Sequence, residues 1–328
     1  HTKTTAGRIG FNLDLMDGRL MNTVSAQGFK MDRSMLDSGS EFSYVGKRAK
    51  LDYQGSFEAT ERFLVQYGAD YEHQTADVQG WTSFSKSYDL TGVWAQAIVE
   101  PVNDLTLTAG LRHDEHSVFG GDTTYRGTAS YLFADTGTRL HSSLGTGFRA
   151  PSLYELYDPS YGTSTLKPEN SVSFDAGVEQ TFLGGRVVAD VTYFRLAVDD
   201  LIDYDFSTSK YNQVSGTTRS QGVEASFTYA ATDWLDLGGS YTYTNSRKPD
   251  GSRSVLVPKH AVVLSANARP AEKWTVGADL KFVADTVDSV GKLGDYTLLN
   301  AKVAYQLTDT TEVYLRGENL LNEHYQTV

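Results

Sequence analysis

Seven histidines, many serines and 41 acidic residues give this 328-residue chain numerous side chains able to do chemistry, so their spacing decides what they do. Serine hydrolysis needs a nucleophile on a sharp turn with a base within reach. No Gly-x-Ser-x-Gly run is present, and His73, His113, His116, His141, His260 and His324 are scattered, so the sequence is read as that of a non-enzyme. The absence of cysteine removes disulfides, thiolate metal sites and thiol nucleophiles. His113-Asp114-Glu115-His116 offers nitrogen and oxygen ligands, but on an extended strand these residues alternate between faces, which favours a solvated shoulder over a metal site. Asp199, Asp200, Asp203 and Asp205 would suit calcium if a loop gathered them, and an acidic solvated loop is the plainer reading. Tyr154, Tyr157 and Tyr161 offer aromatic surface within the polar stretch 149–170. Arg247, Lys248 and Arg253 form a basic patch in a chain of net charge −12. An aromatic, polar rim suits a large amphipathic ligand and a basic one suits an anion, while the overall acidity argues against nucleic acid.

These residues must be held by strands, because the dominant signal is an apolar alternation of period two. Trp274, Val276, Ala278, Leu280 and Phe282 share one face, with Thr275, Gly277, Asp279 and Lys281 on the other. Val172, Phe174, Ala176, Val178 and Phe182 repeat the pattern against Ser171, Ser173, Asp175, Gly177, Glu179 and Thr181. Leu105, Leu107, Ala109 and Leu111 oppose Thr106, Thr108, Gly110, Arg112 and Asp114. About sixteen such strands of roughly ten residues are predicted, the length at which a tilted strand crosses a bilayer. No run approaches eighteen apolar residues, so no transmembrane helix is expected. Short turns near 14–19, 59–61, 101–104, 134–138, 183–185, 231–233, 269–272 and 308–310 alternate with longer polar connections. Those lie at about 30–46, 72–87, 117–122, 149–170, 206–210, 245–257 and 286–294. Short turns on one side and long loops on the other describe an all-β, up-and-down antiparallel transmembrane barrel. A barrel this wide has a wet or plugged lumen, so its polar face points inward and its apolar face meets lipid. Tyr71, Tyr131, Tyr193, Tyr229 and Tyr305 near strand ends suit interfacial girdles.

One stretch is more specific. Gly145-Thr146-Gly147-Phe148-Arg149-Ala150-Pro151 runs into Ser152-Leu153-Tyr154-Glu155, and Lys167-Pro168-Glu169-Asn170 follows at the next strand. Pro151 stops the ladder and opens a long loop. With Val198-Asp199-Asp200-Leu201-Ile202-Asp203-Tyr204-Asp205 and the terminal Asn319-Leu320-Leu321-Asn322-Glu323-His324-Tyr325-Gln326-Thr327-Val328, this resembles the barrel of TonB-dependent outer-membrane receptors, most of all the cobalamin branch. Phe148, Arg149, Ala150, Pro151, Lys167, Pro168, Glu169, Asn319, Leu320 and Tyr325 carry the resemblance. Residues 1–144 agree by strand rhythm.

The resemblance implies a barrel of about 22 strands with a plugged lumen in a Gram-negative outer membrane. Residues 1–328 would then be a partial barrel domain, with the plug, about five strands and the final strand outside it. Long loops would be extracellular and short turns periplasmic. Import would be energised by the TonB complex acting through the plug. The expected ligand is cobalamin, with a ferric siderophore as the close alternative. Haem is less favoured because 149–170 lacks histidine. A passive porin or adhesion barrel is the alternative of a different class. The one cofactor implied is calcium in the outer loops.

Overall fold

Alternating apolar residues on one side and polar residues on the other can satisfy their backbone groups only by pairing with neighbours, and a sheet is the result. A computed structural model describes residues 1–37, 40–80 and 83–326. It is nearly all β. Strands β1 (Thr2–Leu15), β2 (Leu20–Asp37), β3 (Ser40–Thr60), β4 (Phe63–Gln79), β5 (Phe84–Val102), β6 (Leu105–His116), β7 (Gly120–Phe133) and β8 (Thr138–Arg149) follow one another. A short helix α1 (Leu153–Tyr157) precedes β9 (Glu169–Phe182) and β10 (Val187–Asp199). The small strands β11 (Ile202–Asp205) and β12 (Lys210–Gln213) come next. They are followed by β13 (Thr217–Thr232), β14 (Leu235–Arg247), β15 (His260–Ala271), β16 (Trp274–Ala284), β17 (Tyr296–Thr308) and β18 (Thr311–Gly317).

Sixteen strands form one sheet in sequence order, and β11 and β12 form a separate antiparallel pair. Two compact units are present. One comprises His1–Ala129, Leu144–Val172 and Val198–Thr217, and the other Ser130–Ser143, Ser173–Ala197 and Thr218–Val328. No described helix is long and apolar enough to cross a membrane.

The predicted fold class and strand number agree with this sheet, but three boundaries change. The long connections expected at 30–46 and 72–87 are instead continued ladder, with pairing running to Asp37↔Ser40 and to Val78↔Phe84. Their composition is polar because both faces of a projecting hairpin are wet, which blurs the period-two signal while leaving the backbone pairing intact. Most strands are accordingly longer than ten residues, up to 21 in β3. The connection expected at 206–210 spans 200–216 and folds its own hairpin, β11–β12.

The apolar face is exposed: Ile9 is 76% accessible, Phe11 65% and Leu111 56%. Contiguous apolar exposure of this kind on a sheet belongs against lipid. Tyr131 meets Phe133 edge-on at 4.6 Å and Trp274 meets Tyr305 at 4.8 Å, each beside a short turn. At the same turns, Arg19 donates to the Glu58 and Ala59 carbonyls and Arg186 to those of Ala230 and Ala231, tying each turn to the next.

The polar face is cross-linked through glycine gaps. Arg112 of β6 reaches past Gly92 of β5 to Asp70 of β4 at 2.9 Å, and also holds Asp114 at 2.6 Å. A Cβ at Gly92 would stand 2.0 Å from the guanidinium. Gly177 leaves the same opening between His141 and Asp190, which meet at 2.8 Å.

Candidate ligand-binding site

Eight hydrophobic residues are buried among the described residues, and four of them, Leu153, Leu156, Leu166 and Ile202, lie outside the sixteen-stranded sheet. Leu156, Leu166 and Ile202 pack together, with Phe119, Tyr157 and Tyr211 against them. This small core joins the 150–168 connection to the β11–β12 hairpin in one lobe.

The local chain explains why. Ser152 caps α1: its Oγ accepts from the Glu155 N–H, and Glu155 accepts from the Ser152 N–H, a reciprocal capping box. Pro151, fully buried, ends the ladder in front of it. Arg149 then forks onto Glu169, its Nε donating at 2.8 Å and Nη2 at 2.6 Å, with a longer contact to Glu155. Glu169 Oε1 also accepts the Ile202 N–H at 2.6 Å, so one carboxylate clamps the start of β9 to the start of β11. Burial pushes the Glu169 carboxyl up, but the guanidinium and the amide outweigh it and hold the group below its ordinary range. Gln213 adds a second clamp, accepting the Lys167 N–H and donating to the carbonyls of Lys167 and Asp200. Lys210 donates to the Gly162 carbonyl, and the Tyr211 N–H to that of Tyr161.

On this frame stands a tyrosine cluster. Tyr154 stacks toward Tyr161 at 6.5 Å and meets Tyr211 edge-on at 6.1 Å, and Tyr44 lies 6.4 Å away. Tyr204 contacts Tyr161, Tyr211 and Phe206. Burial raises the Tyr154 phenol well above the usual value and raises the Tyr211 phenol too, so both are neutral at physiological pH. Tyr161 is 42% and Phe206 80% accessible, which makes them the open edge of the cluster.

The predicted residues therefore separate. Tyr154 and Tyr161 come together, while Tyr157 turns to the Lys86 ammonium, 5.1 Å from its ring. Phe148 and Arg149 end β8, Ala150 and Pro151 begin the lobe, and Lys167, Pro168 and Glu169 close it. In the other unit, Arg253 pairs with Asp285 at 2.9 Å, and Arg247 donates to Asn245 and the Gly251 carbonyl. Lys248 bonds through its backbone across the same hairpin.

The four aspartates do not converge. Asp199 accepts from Thr217, Asp200 has its own amide on the Gly216 carbonyl, and Asp203 accepts the Tyr204 N–H. Asp205 accepts from the side chain and backbone of Ser207, which lower its pKa to about 2. Among the described residues no group of three His, Asp or Glu side chains is arranged to hold a metal ion.

Asn319 exchanges hydrogen bonds with Glu323 and donates its backbone N–H to the Asn300 Oδ1, while the Leu320 N–H donates to the Leu299 carbonyl, so this motif staples the end of β18 to β17. Tyr325 packs on Tyr296 at 4.8 Å, and Thr327 and Val328 lie outside the described residues. Sequence reasoning missed Tyr44, Tyr204, Phe206, Tyr211 and Gln213. In the structure Tyr204 and Tyr211 are register partners flanking a polar turn.

Comparisons agree with this architecture. A family model described as TonB dependent receptor-like, beta-barrel matches residues 2–320. The vitamin B12 transporter BtuB of Vibrio cholerae serotype O1 is 28% identical over 254 residues, covering 74% of this chain and 40% of the relative. The chain thus spans about two fifths of the curated relative it matches. A mutant of the ferric enterobactin receptor of Pseudomonas aeruginosa superposes with a TM-score of 0.83 at 17% identity, over 98% of this chain and 56% of that one. The copper transporter OprC gives 0.81 at 16%, over 99% and 60%. At these identities the two structures speak to the fold alone. The family is one of receptors and transporters, not enzymes. With its sixteen antiparallel strands and a family match across nearly its whole length, the chain belongs to the TonB-dependent receptor β-barrel family.

Proposed function

We propose that this chain supplies wall and ligand-capture rim to an outer-membrane receptor that imports cobalamin. Receptors of this family are outer-membrane proteins of Gram-negative bacteria. In this reading the lobe of residues 150–168 and 200–216 faces the exterior and the short turns face the periplasm. Residues 1–328 form part of the barrel, and energy from the TonB complex arrives through a plug domain. The observation that carries cobalamin is the 28% identity to a vitamin B12 transporter. The tyrosine cluster supports it, because a large amphipathic ligand gains from semi-buried aromatic faces with wet hydroxyls. A ferric siderophore is the competing ligand. Its anionic charge would call on Arg247, Lys248 and Arg253, but the Arg253 charge is already balanced by Asp285.

The test is equilibrium binding of cyanocobalamin to the full-length receptor, with and without calcium, beside ferric siderophores and copper. Tight retention of cobalamin alone is expected. Capture of a ferric complex instead would leave the receptor and replace the ligand. Passive conductance without capture of either would replace the receptor by a porin. A calcium requirement would point to Asp199, Asp200, Asp203 and Asp205.

A further inference from the structure

His116, which strand alternation assigned to a solvated shoulder, is instead 2% accessible and among the most deeply buried side chains of the described residues. It is the last residue of β6, past the stretch of about ten that crosses the hydrocarbon, and it shares the polar face with Arg112 and Asp114. Its ring lies between Tyr88 of β5, 4.5 Å away, and Phe119 of the β6–β7 turn, at 5.0 Å. Phe119 in turn packs on Leu156, Leu166 and Ile202. The core of the lobe therefore rests on the sheet through this imidazole.

The ring nitrogens fix its protonation state. Nδ1 accepts the Val118 N–H at 3.1 Å, so the neutral ring carries its proton on Nε2, which has no hydrogen-bond partner. The turn is also held by the Phe119 N–H on the His116 carbonyl and by Ser117, which bonds the Asp89 backbone twice. A second proton can go only on Nδ1, where it would face the Val118 N–H, donor against donor.

The resulting charge would find no free anion. Burial and the Glu72 charge push the Tyr88 phenol up to about 12, so it stays neutral. Glu72 stands beyond Leu90 in the row Glu72↔Leu90↔His116 and already takes Arg48 at 2.6 Å. Asp114 is held by Arg112 at 2.6 Å, and the Asp89 carboxylate lies on the opposite face with Tyr71 and His73. The first charged residue of β7 is Asp122, beyond Gly120 and Gly121. From the lobe, Glu155 takes Arg149, Asp158 accepts the amides of Ser160 and Tyr161, and the Lys86 ammonium lies on Tyr157. Burial accordingly holds the histidine below its ordinary value of 6.5.

Resting on the reading of this lobe as the capture rim, we propose that His116 is an acid-operated latch. Neutral, it keeps the β6–β7 turn closed and Phe119 on the core. On taking a second proton it leaves for water, Phe119 follows, and the lobe with its tyrosine edge loosens. The closed lobe binds fewer protons than the open one, so the latch is intact above pH 6.5 and weakens as pH falls through that value. Between pH 7.5 and 5.5 the open population rises by up to about tenfold. Glu169 acts only below pH 4.5, so this window belongs to the histidine.

The test is amide hydrogen exchange on the ligand-free full-length receptor at pH 7.5 and 5.5, corrected for the intrinsic pH dependence of exchange. In the wild type, segments 116–119 and 150–168 should lose protection together at pH 5.5, by up to about tenfold. H116N, whose amide oxygen can accept the Val118 N–H, and H116F, which keeps the ring stack, should show no step. H113N, on the opposite face, should keep it. Should both His116 variants fail to insert, F119A carries the test: the step persists at 116–119, while 150–168 exchanges fast at both pH values. A step absent from the wild type, or kept by H116N and H116F, overturns the proposal. So does a step kept by 150–168 in F119A, which would separate the turn from the lobe. Cyanocobalamin binding is read beside it, and the wild type should bind up to about tenfold more weakly at pH 5.5 while H116N binds equally at both. Equal capture by the wild type at both pH values overturns the control of capture. No capture at either pH overturns the ligand reading instead, and the exchange step still decides the latch.

Discussion

Glu169→Gln is the substitution that isolates the clamp between the two halves of the lobe. The change keeps shape and one acceptor for the Ile202 amide but removes the charge that Arg149 grips at 2.6 and 2.8 Å. Breaking a buried ion pair by removing one partner costs about 3–5 kcal/mol, and an exposed pair is worth about 0–1. Here the carboxylate side chain is 9% accessible and the guanidinium 46%, so water takes over part of the arginine's solvation. The expected loss is about 2 kcal/mol, a thirtyfold rise in the undocked population of the lobe. Amide hydrogen exchange on the full-length receptor reads this directly. Segments 150–168 and 200–216 should exchange faster together while β2–β4 stay protected. Glu155→Gln, whose contact to Arg149 is longer, should have the smaller effect. Unchanged exchange in both segments, or faster exchange spread through β2–β4, would refute the clamp. The pH dependence has a definite sign. Because Glu169 is held below its ordinary value of 4.5, its contribution is present above that pH and lost as pH falls through the folded value. Lobe protection should therefore weaken as pH falls below 4.5 and be flat from neutral pH upward.

Gly92→Val places a side chain where the Arg112 guanidinium crosses to Asp70, and should destabilise the folded barrel by about 3 kcal/mol, seen in urea titration of its heat-modifiable gel mobility. Gly294→Ala, where nothing lies within 4 Å, should leave that titration unchanged. Tyr161→Ala and Phe206→Ala remove the open edge of the aromatic cluster and should each weaken ligand capture about tenfold, with exchange in the lobe unaltered. Asp205→Asn keeps the turn bonds to Ser207 while dropping the charge, so it should change neither lobe exchange nor capture unless calcium is required, which titration with a chelator would reveal.

Fold class and strand number were legible because the sheet has two faces in two different solvents. Val172, Phe174 and Val178 alternate with Ser173, Asp175 and Gly177 as the pleat demands, and the exposed apolar side chains fall where that alternation puts them. The alternation fades where both faces are wet, so the projecting hairpins of β2–β3 and β4–β5 read as loops although their ladders continue. The motif around Arg149 and Glu169 was visible, but its role was not. What Glu169 holds is the Ile202 amide, 33 residues downstream, and neither periodicity nor spacing encodes a contact of that separation. Tyr204 and Tyr211 were missed for a related reason: a four-residue strand pair inside a loop is too short for its period to stand out.

The position of the core explains why this lobe suits the proposed capture of ligand. The sheet buries its apolar side chains against lipid and needs few protein contacts to do so. The lobe, outside the sheet, has no such solvent in the proposed reading and must hide its own Leu153, Leu156, Leu166 and Ile202. Rings packed against that core are fixed by it, and the ordering cost of a binding surface is met in folding rather than in capture. Tyr211 is such a ring, Tyr154 and Tyr204 lean on it, and Tyr161 and Phe206 stand against those two at the open edge. In the proposed reading, ligand discrimination can therefore change through Tyr161 and Phe206 while the clamp of Arg149, Glu169 and Gln213 stays the same. In the proposed reading this separates the barrel and its clamp from the capture edge of this chain.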